Sequence, residues 1–154
     1  MPPPSHLNSR LTWPHFLLAA GIGLTTLFTL LQPGLSEGLS GILLVLFWAA
    51  HVMLPLGLLQ CAQIALSRLP RIAALNPWLQ TALSGLAGSA LFTPVALGLD
   101  AAFGLAVTTD DLSMSWPAAL LDEFLGLAPI VFLVWLGLNA TRLLRLDPPP
   151  APDH

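Results

Sequence analysis

The sequence predicts an all-α integral membrane protein, a four-transmembrane-helix bundle with proline-rich tails, and three observations carry that expectation. Four long apolar stretches take up most of the 154 residues. Hydrophobic residues make up 55% of the chain and charged ones only 8%, far from the quarter that is typical of soluble domains. The few charges are also sorted by segment. Arg10, Arg68, Arg71, Arg142 and Arg145 lie in the first, third and fifth polar segments. Glu37, Asp110 and Asp111 lie in the second and fourth, with Asp100, Asp122 and Glu123 at the apolar margins beside them. Arginine and lysine concentrate in short cytoplasmic loops, so both termini are expected inside. At about 20 residues per span, four spans leave no room for a soluble domain.

The amino-terminal tail, 1–15, opens on a proline run and reaches Trp13 and Pro14 before the first span, expected over 16–32. A basic start ahead of an apolar segment is also how a secretory signal peptide reads. No small-residue cleavage pattern follows it, and three further spans do. The second span, 39–66, would be about 42 Å long as a helix and exceeds a hydrocarbon core of about 30 Å. It must tilt, kink or protrude, and Pro55, which has no N–H for the carbonyl of His51, offers the kink. The third span, 78–99, follows Asn76, Pro77 and Trp78 and contains Pro94. The fourth, 117–140, begins on a proline, which suits a first helical turn, and contains Pro129. Pro55, Pro94 and Pro129 are thus candidate hinges, although membrane helices also tolerate proline structurally. Trp13, Trp78 and Trp135 are expected at the cytoplasmic boundary and Trp116 at the outer one. Residues 142–154 form a cytoplasmic proline-rich tail or linker.

Helices associate in lipid through close backbone approach, so small residues at helical spacing mark contact faces. Thr81, Gly85 and Ser89 form such a row in the third span, with Ser84 and Gly88 beside it, and Gly21 and Thr25 repeat the spacing in the first. The third helix is therefore expected at the centre of the bundle. Gln60, Gln63 and Gln80 gather near the arginine-bearing loop and are expected to tie the second and third helices together. Cys61, the single cysteine, excludes an internal disulfide and is expected to be a packing residue.

Two constellations bear chemistry. Asp100, Asp122 and Glu123 form a candidate outer-side ion or signal site, since ionisable groups within a membrane are costly and tend to be functional. A solvated acidic rim is the plainer reading. Asp122 and Glu123 point about 100° apart on a helix, so only one can readily face the bundle. His51 is a candidate intramembrane polar site, expected to bond a backbone carbonyl or a polar side chain of a neighbouring helix. A pair with Asp122 is disfavoured by depths that differ by about 10 Å. His6, His15 and His154 fall in tails or at a boundary, so neither a bis-histidine haem nor a zinc site is expected. No metal and no cofactor is expected. No phosphate loop, nucleophile elbow, paired-histidine motif or CxxC is present, and the chain is not expected to be an enzyme.

The fourth span runs through Leu121-Asp122-Glu123-Phe124-Leu125-Gly126-Leu127-Ala128-Pro129 and leaves through Val134-Trp135-Leu136 to Asn139. Arg142-Leu143-Leu144-Arg145-Leu146, Asp147, three prolines, Ala151, Pro152, Asp153 and His154 follow. A basic exit leading into a proline-rich stretch reads as a semi-rigid tether. With four short spans before it, this resembles the membrane-spanning amino-terminal module of bacterial LytTR-type transcriptional regulators. There, a multi-span module precedes a cytoplasmic LytTR DNA-binding domain. The resemblance implies a truncated or stand-alone module, with no direct nucleic-acid contact by this chain and no catalytic residues to carry over. It implies a non-catalytic sensory or regulatory module of a bacterial inner membrane, partnered by the lipid bilayer and by a second copy or another membrane protein. The alternatives are a small oligomeric proton- or cation-coupled transporter and a structural anchor subunit. The internal-repeat symmetry common in transporters is not visible between the two halves.

Overall fold

In a computed structural model, which describes residues 12–105 and 115–144, four helices are long and apolar enough to cross a membrane. They are α1 (Trp13–Leu31), α2 (Gly41–Ser67), α4 (Pro77–Ala102) and α5 (Trp116–Leu143), with a single short turn of helix, α3 (Pro70–Ala73), between α2 and α4. Among the described residues there is no strand. Arg10, Asp110, Asp111, Arg145, His6, His154 and most of both tails lie outside the described residues.

Each helix starts where the local chemistry allows it. Proline stands in the first turn of α1, α4 and α5, where a missing N–H removes nothing. Ahead of α4, the Oδ1 of Asn76 accepts the amide of Trp78 at 2.8 Å, closing an N-cap. α1 ends with Gln32 in the left-handed region at φ 43, its amide returning to the carbonyl of Phe28. The 3-10 turn Gly34–Ser36 that follows is pinned to α2 by Ser36. That hydroxyl is fully buried, donates to the Pro33 carbonyl and accepts from the indole of Trp48 at 3.2 Å. Gly38 and Gly41 complete the connection at φ +91 and +58, angles that a side chain would strain.

α2 and α4 form the central pair, with α1 packed on α2 and α5 on α4. Glycine permits this closeness. A Cβ on Gly88 would lie 2.8 Å from the Cα of Leu59, and one on Gly85 would lie 2.9 Å from the ring of Phe132. Gly21 plays the same part between α1 and α2, facing Met53 and Leu56. Thr81, Ser84 and Ser89 are buried beside the two α4 glycines, and Thr25 is half-buried on α1. α4 therefore lies between α2 and α5, and α2 shares the centre with it. Ser89 and Thr93 send their hydroxyls to the carbonyls of Gly85 and Ser89. α2, α4 and α5 stay helical through Pro55, Pro94 and Pro129; Pro55 is buried and the other two are exposed.

Several expectations need correction. Trp135 is not a boundary anchor: it is wholly buried, and its indole donates to Ser84 Oγ at 3.0 Å. α5 runs two turns past it, which carries the residue into the interior, and Gly85 opposite leaves room for the ring. The glutamines do not bind one another across the α2–α4 hairpin. Gln60 accepts from the indole of Trp13 at 2.8 Å and so ties α2 to α1. Gln80 donates to the carbonyls of Ala73 and Leu75 and so ties α4 to the linker before it. Cys61 is exposed and packs against nothing central.

Candidate functional site

The bundle has an arginine end, marked by Arg68, Arg71 and Arg142, and an opposite acidic end, where α2 and α5 begin and α4 finishes. At the acidic end α2 extends well beyond α4. Leu39, Leu44, Phe47 and Trp48 form a cluster there, and Phe28, Phe103 and Leu105 cover it. The ring of Phe103, just past the end of α4, meets Phe47 edge to face at 5.3 Å. The stagger has one chemical consequence. His51, ten residues into α2, becomes level with Asp100, two residues from the end of α4.

His51 Nε2 lies 3.2 Å from Asp100 Oδ1, with the imidazole only 13% exposed. Its other nitrogen, Nδ1, lies 3.0 Å from the carbonyl oxygen of Phe47, one turn back on α2. A carbonyl can only accept, so Nδ1 carries a hydrogen. The ring is enclosed by aromatic neighbours: Phe47 at 4.0 Å between centroids, Phe92 of α4 edge-on at 6.2 Å and Trp48 at 6.2 Å. These rings shield the imidazole from bulk solvent and lipid.

Glu123, in the second turn of α5, is half-buried at the same end of the bundle. Asp122, one residue earlier, is exposed. The structure thus brings together two groups that the sequence suggested as separate sites. His51 meets Asp100 across α2 and α4, and Glu123 and the exposed Asp122 lie at the same end of the bundle, on α5. The sequence-based depths concealed this, because they measured each residue from its own helix end and took those ends as level.

Electrostatically the cluster is lopsided. The sequence places no arginine or lysine from 11 to 67 or from 72 to 141, so among the described residues His51 is the one side chain at the acidic end that can carry a positive charge. Among the described residues no group of three or more His, Cys, Asp or Glu side chains has an arrangement suited to a metal ion. Two shallow grooves, of about 390 and 360 Å³, are lined mostly by apolar side chains and include none of the cluster residues. One, lined by Trp13, Leu17, Met53, Gly57 and Gln60, lies between α1 and α2. The arrangement pairs one imidazole with one carboxylate between two helices, and it contains no nucleophile with an activating base.

No family model matches the chain, and neither a curated protein nor a solved structure similar to it was found.

Proposed function

We propose that the chain is a non-catalytic sensory or regulatory module of a bacterial cytoplasmic membrane. The four long helices span the bilayer with both termini inside. The acidic end faces outward and receives an ionic signal, and the arginine end passes it to a cytoplasmic partner, as in the membrane halves of LytTR-type regulators. The observation that carries this reading is the 3.2 Å contact of His51 with Asp100. It joins α2 to α4 through charge at the acidic end, where α5 carries the half-buried Glu123. A change in its ionic state alters the attraction between α2 and α4, and rigid helices carry such a displacement to their far ends. Intramembrane ionisable groups are costly enough that retaining them favours a function over packing.

The test is a distance measurement at the arginine end. Spin labels at Leu69 and Leu144, both exposed, would be introduced into protein reconstituted in liposomes, and the label separation followed as the external ionic conditions change. A shift that disappears in His51→Ala supports the reading. An invariant separation sinks it. The surplus carboxylate Glu123 also favours a coupled transporter as the second reading. Vesicles loaded with a pH-sensitive dye separate the two, since only a transporter produces Glu123-dependent flux.

A further inference from the structure

The groove between α1 and α2 lies at the other end of the bundle from the His51–Asp100 contact. It holds about 360 Å³ and follows α2 from Met53 through Gly57 and Gln60 to Ile64, with Trp13 and Leu18 of α1 as its opposite wall. The four α2 residues recur three or four positions apart and so share one helical face. From Met53 to Ile64 a helix rises about 16 Å, half of a hydrocarbon core of about 30 Å. The groove therefore has the depth of one leaflet. It runs inward from the arginine end and stops where Met53 meets Gly21 of α1.

Its walls are apolar apart from Trp13 and Gln60, which bond each other, the indole donating to Oε1 at 2.8 Å. Along the floor there is unfilled space, since a Cβ on Gly57 would meet nothing within 4 Å. The outer end is basic. The guanidinium of Arg142 lies 5.1 Å above the ring of Trp13, and Arg68 follows Ile64 by one turn of α2. Among the described residues no carboxylate lies at this end, because Glu37, Asp100, Asp122 and Glu123 all lie at the opposite one. A fitting occupant is apolar over the depth of one leaflet and negatively charged at its end. A partner helix would cross both leaflets, and this groove serves only one.

We propose that the groove binds one anionic phospholipid, with an acyl chain between α1 and α2 and the phosphate on Arg142. A guanidinium offers paired N–H donors that match two phosphate oxygens, and its contact with Trp13 keeps it beside the groove. Basic sites between membrane helices recognise anionic headgroups in this way. The inference rests on the reading that the long helices lie in a bilayer, and it is independent of whether the His51–Asp100 contact receives a signal.

The experiment is native mass spectrometry of the full chain released from detergent, counting retained lipid. The probes are dioleoyl phosphatidylglycerol and dioleoyl phosphatidylcholine, which have the same acyl chains. One phosphatidylglycerol should be retained at a concentration about fivefold below that needed for phosphatidylcholine, the effect of one arginine near a membrane surface. Arg142→Gln should abolish this preference and Arg142→Lys should keep it. Arg71→Gln, on α3 at the same end, should leave it unchanged. Gly57→Leu should exclude both lipids with no loss of thermal stability in lipid-free detergent, and Ile64→Trp, at the outer end of the groove, guards against misfolding of that variant. Equal retention of the two lipids by the wild type overturns the proposal, as does a preference that survives Arg142→Gln. Undiminished retention in both groove variants also overturns it, and a dimer that Gly57→Leu dissociates would assign the face to a second copy instead. Retained lipid with an invariant spin-label separation sinks the sensory reading alone.

Discussion

At the scale of single residues, the close contacts of α4 are the most sharply testable feature. Alanine at Gly88 would put its methyl against the backbone of Leu59, which cannot rotate away as a side chain can. Gly88→Ala should cost about 1–3 kcal/mol, as overpacking does. Gly126→Ala, where nothing lies within 4 Å, should stay within about 0.5 kcal/mol of the wild type. Thermal unfolding in detergent compares them. Trp135→Phe keeps most of the ring but removes the bond to Ser84, a loss of about 0.6–1.7 kcal/mol in a membrane interior. The small-residue rows on α4 were legible from spacing alone. Trp135 was not, because an indole within two turns of the end of an apolar span reads as a boundary anchor, whereas its burial depends on Ser84 and Gly85 of the facing helix. Asp100 could be singled out from sequence, but its meeting with His51 could not, since it depends on how far α2 overshoots α4.

Between elements, α4 and α1 carry different consequences. α1 meets α2 across Gly21 and through the Trp13–Gln60 bond, away from the His51–Asp100 contact. Gly21→Leu should therefore loosen α1 alone. Gly85→Leu would drive α4 from Phe132 and Trp135 of α5, so it should lower thermal stability in detergent by more. Equal losses in the two variants would contradict a bundle centred on α2 and α4. The four long helices were readable to within a few residues at most ends, because apolar length and proline in the first turn are local signals. α3 and the 3-10 turn after α1 were not, since short turns take their form from the neighbours they reach, as Ser36 does through Trp48. The internal prolines, suggestive of hinges in sequence, sit within continuous helices.

For the molecule as a whole, the proposed orientation makes a labelling prediction. With Cys61 replaced by alanine, a cysteine at Gly34 should react with an impermeant maleimide applied to intact cells from which the outer membrane has been removed. A cysteine at Arg71 should react only after permeabilisation. The reverse pattern would put the acidic end inside and remove the external signal from consideration. The bundle also joins its first and last helices at the arginine end. The guanidinium of Arg142 lies 5.1 Å above the ring of Trp13, and Trp13 meets Trp135 edge to face at 6.5 Å. The polypeptide thus enters and leaves the bundle at adjacent points, the condition under which circular permutation is tolerated. Anything attached to either end shares one anchorage, and a displacement of α5 at Arg142 reaches both attachments as a single motion.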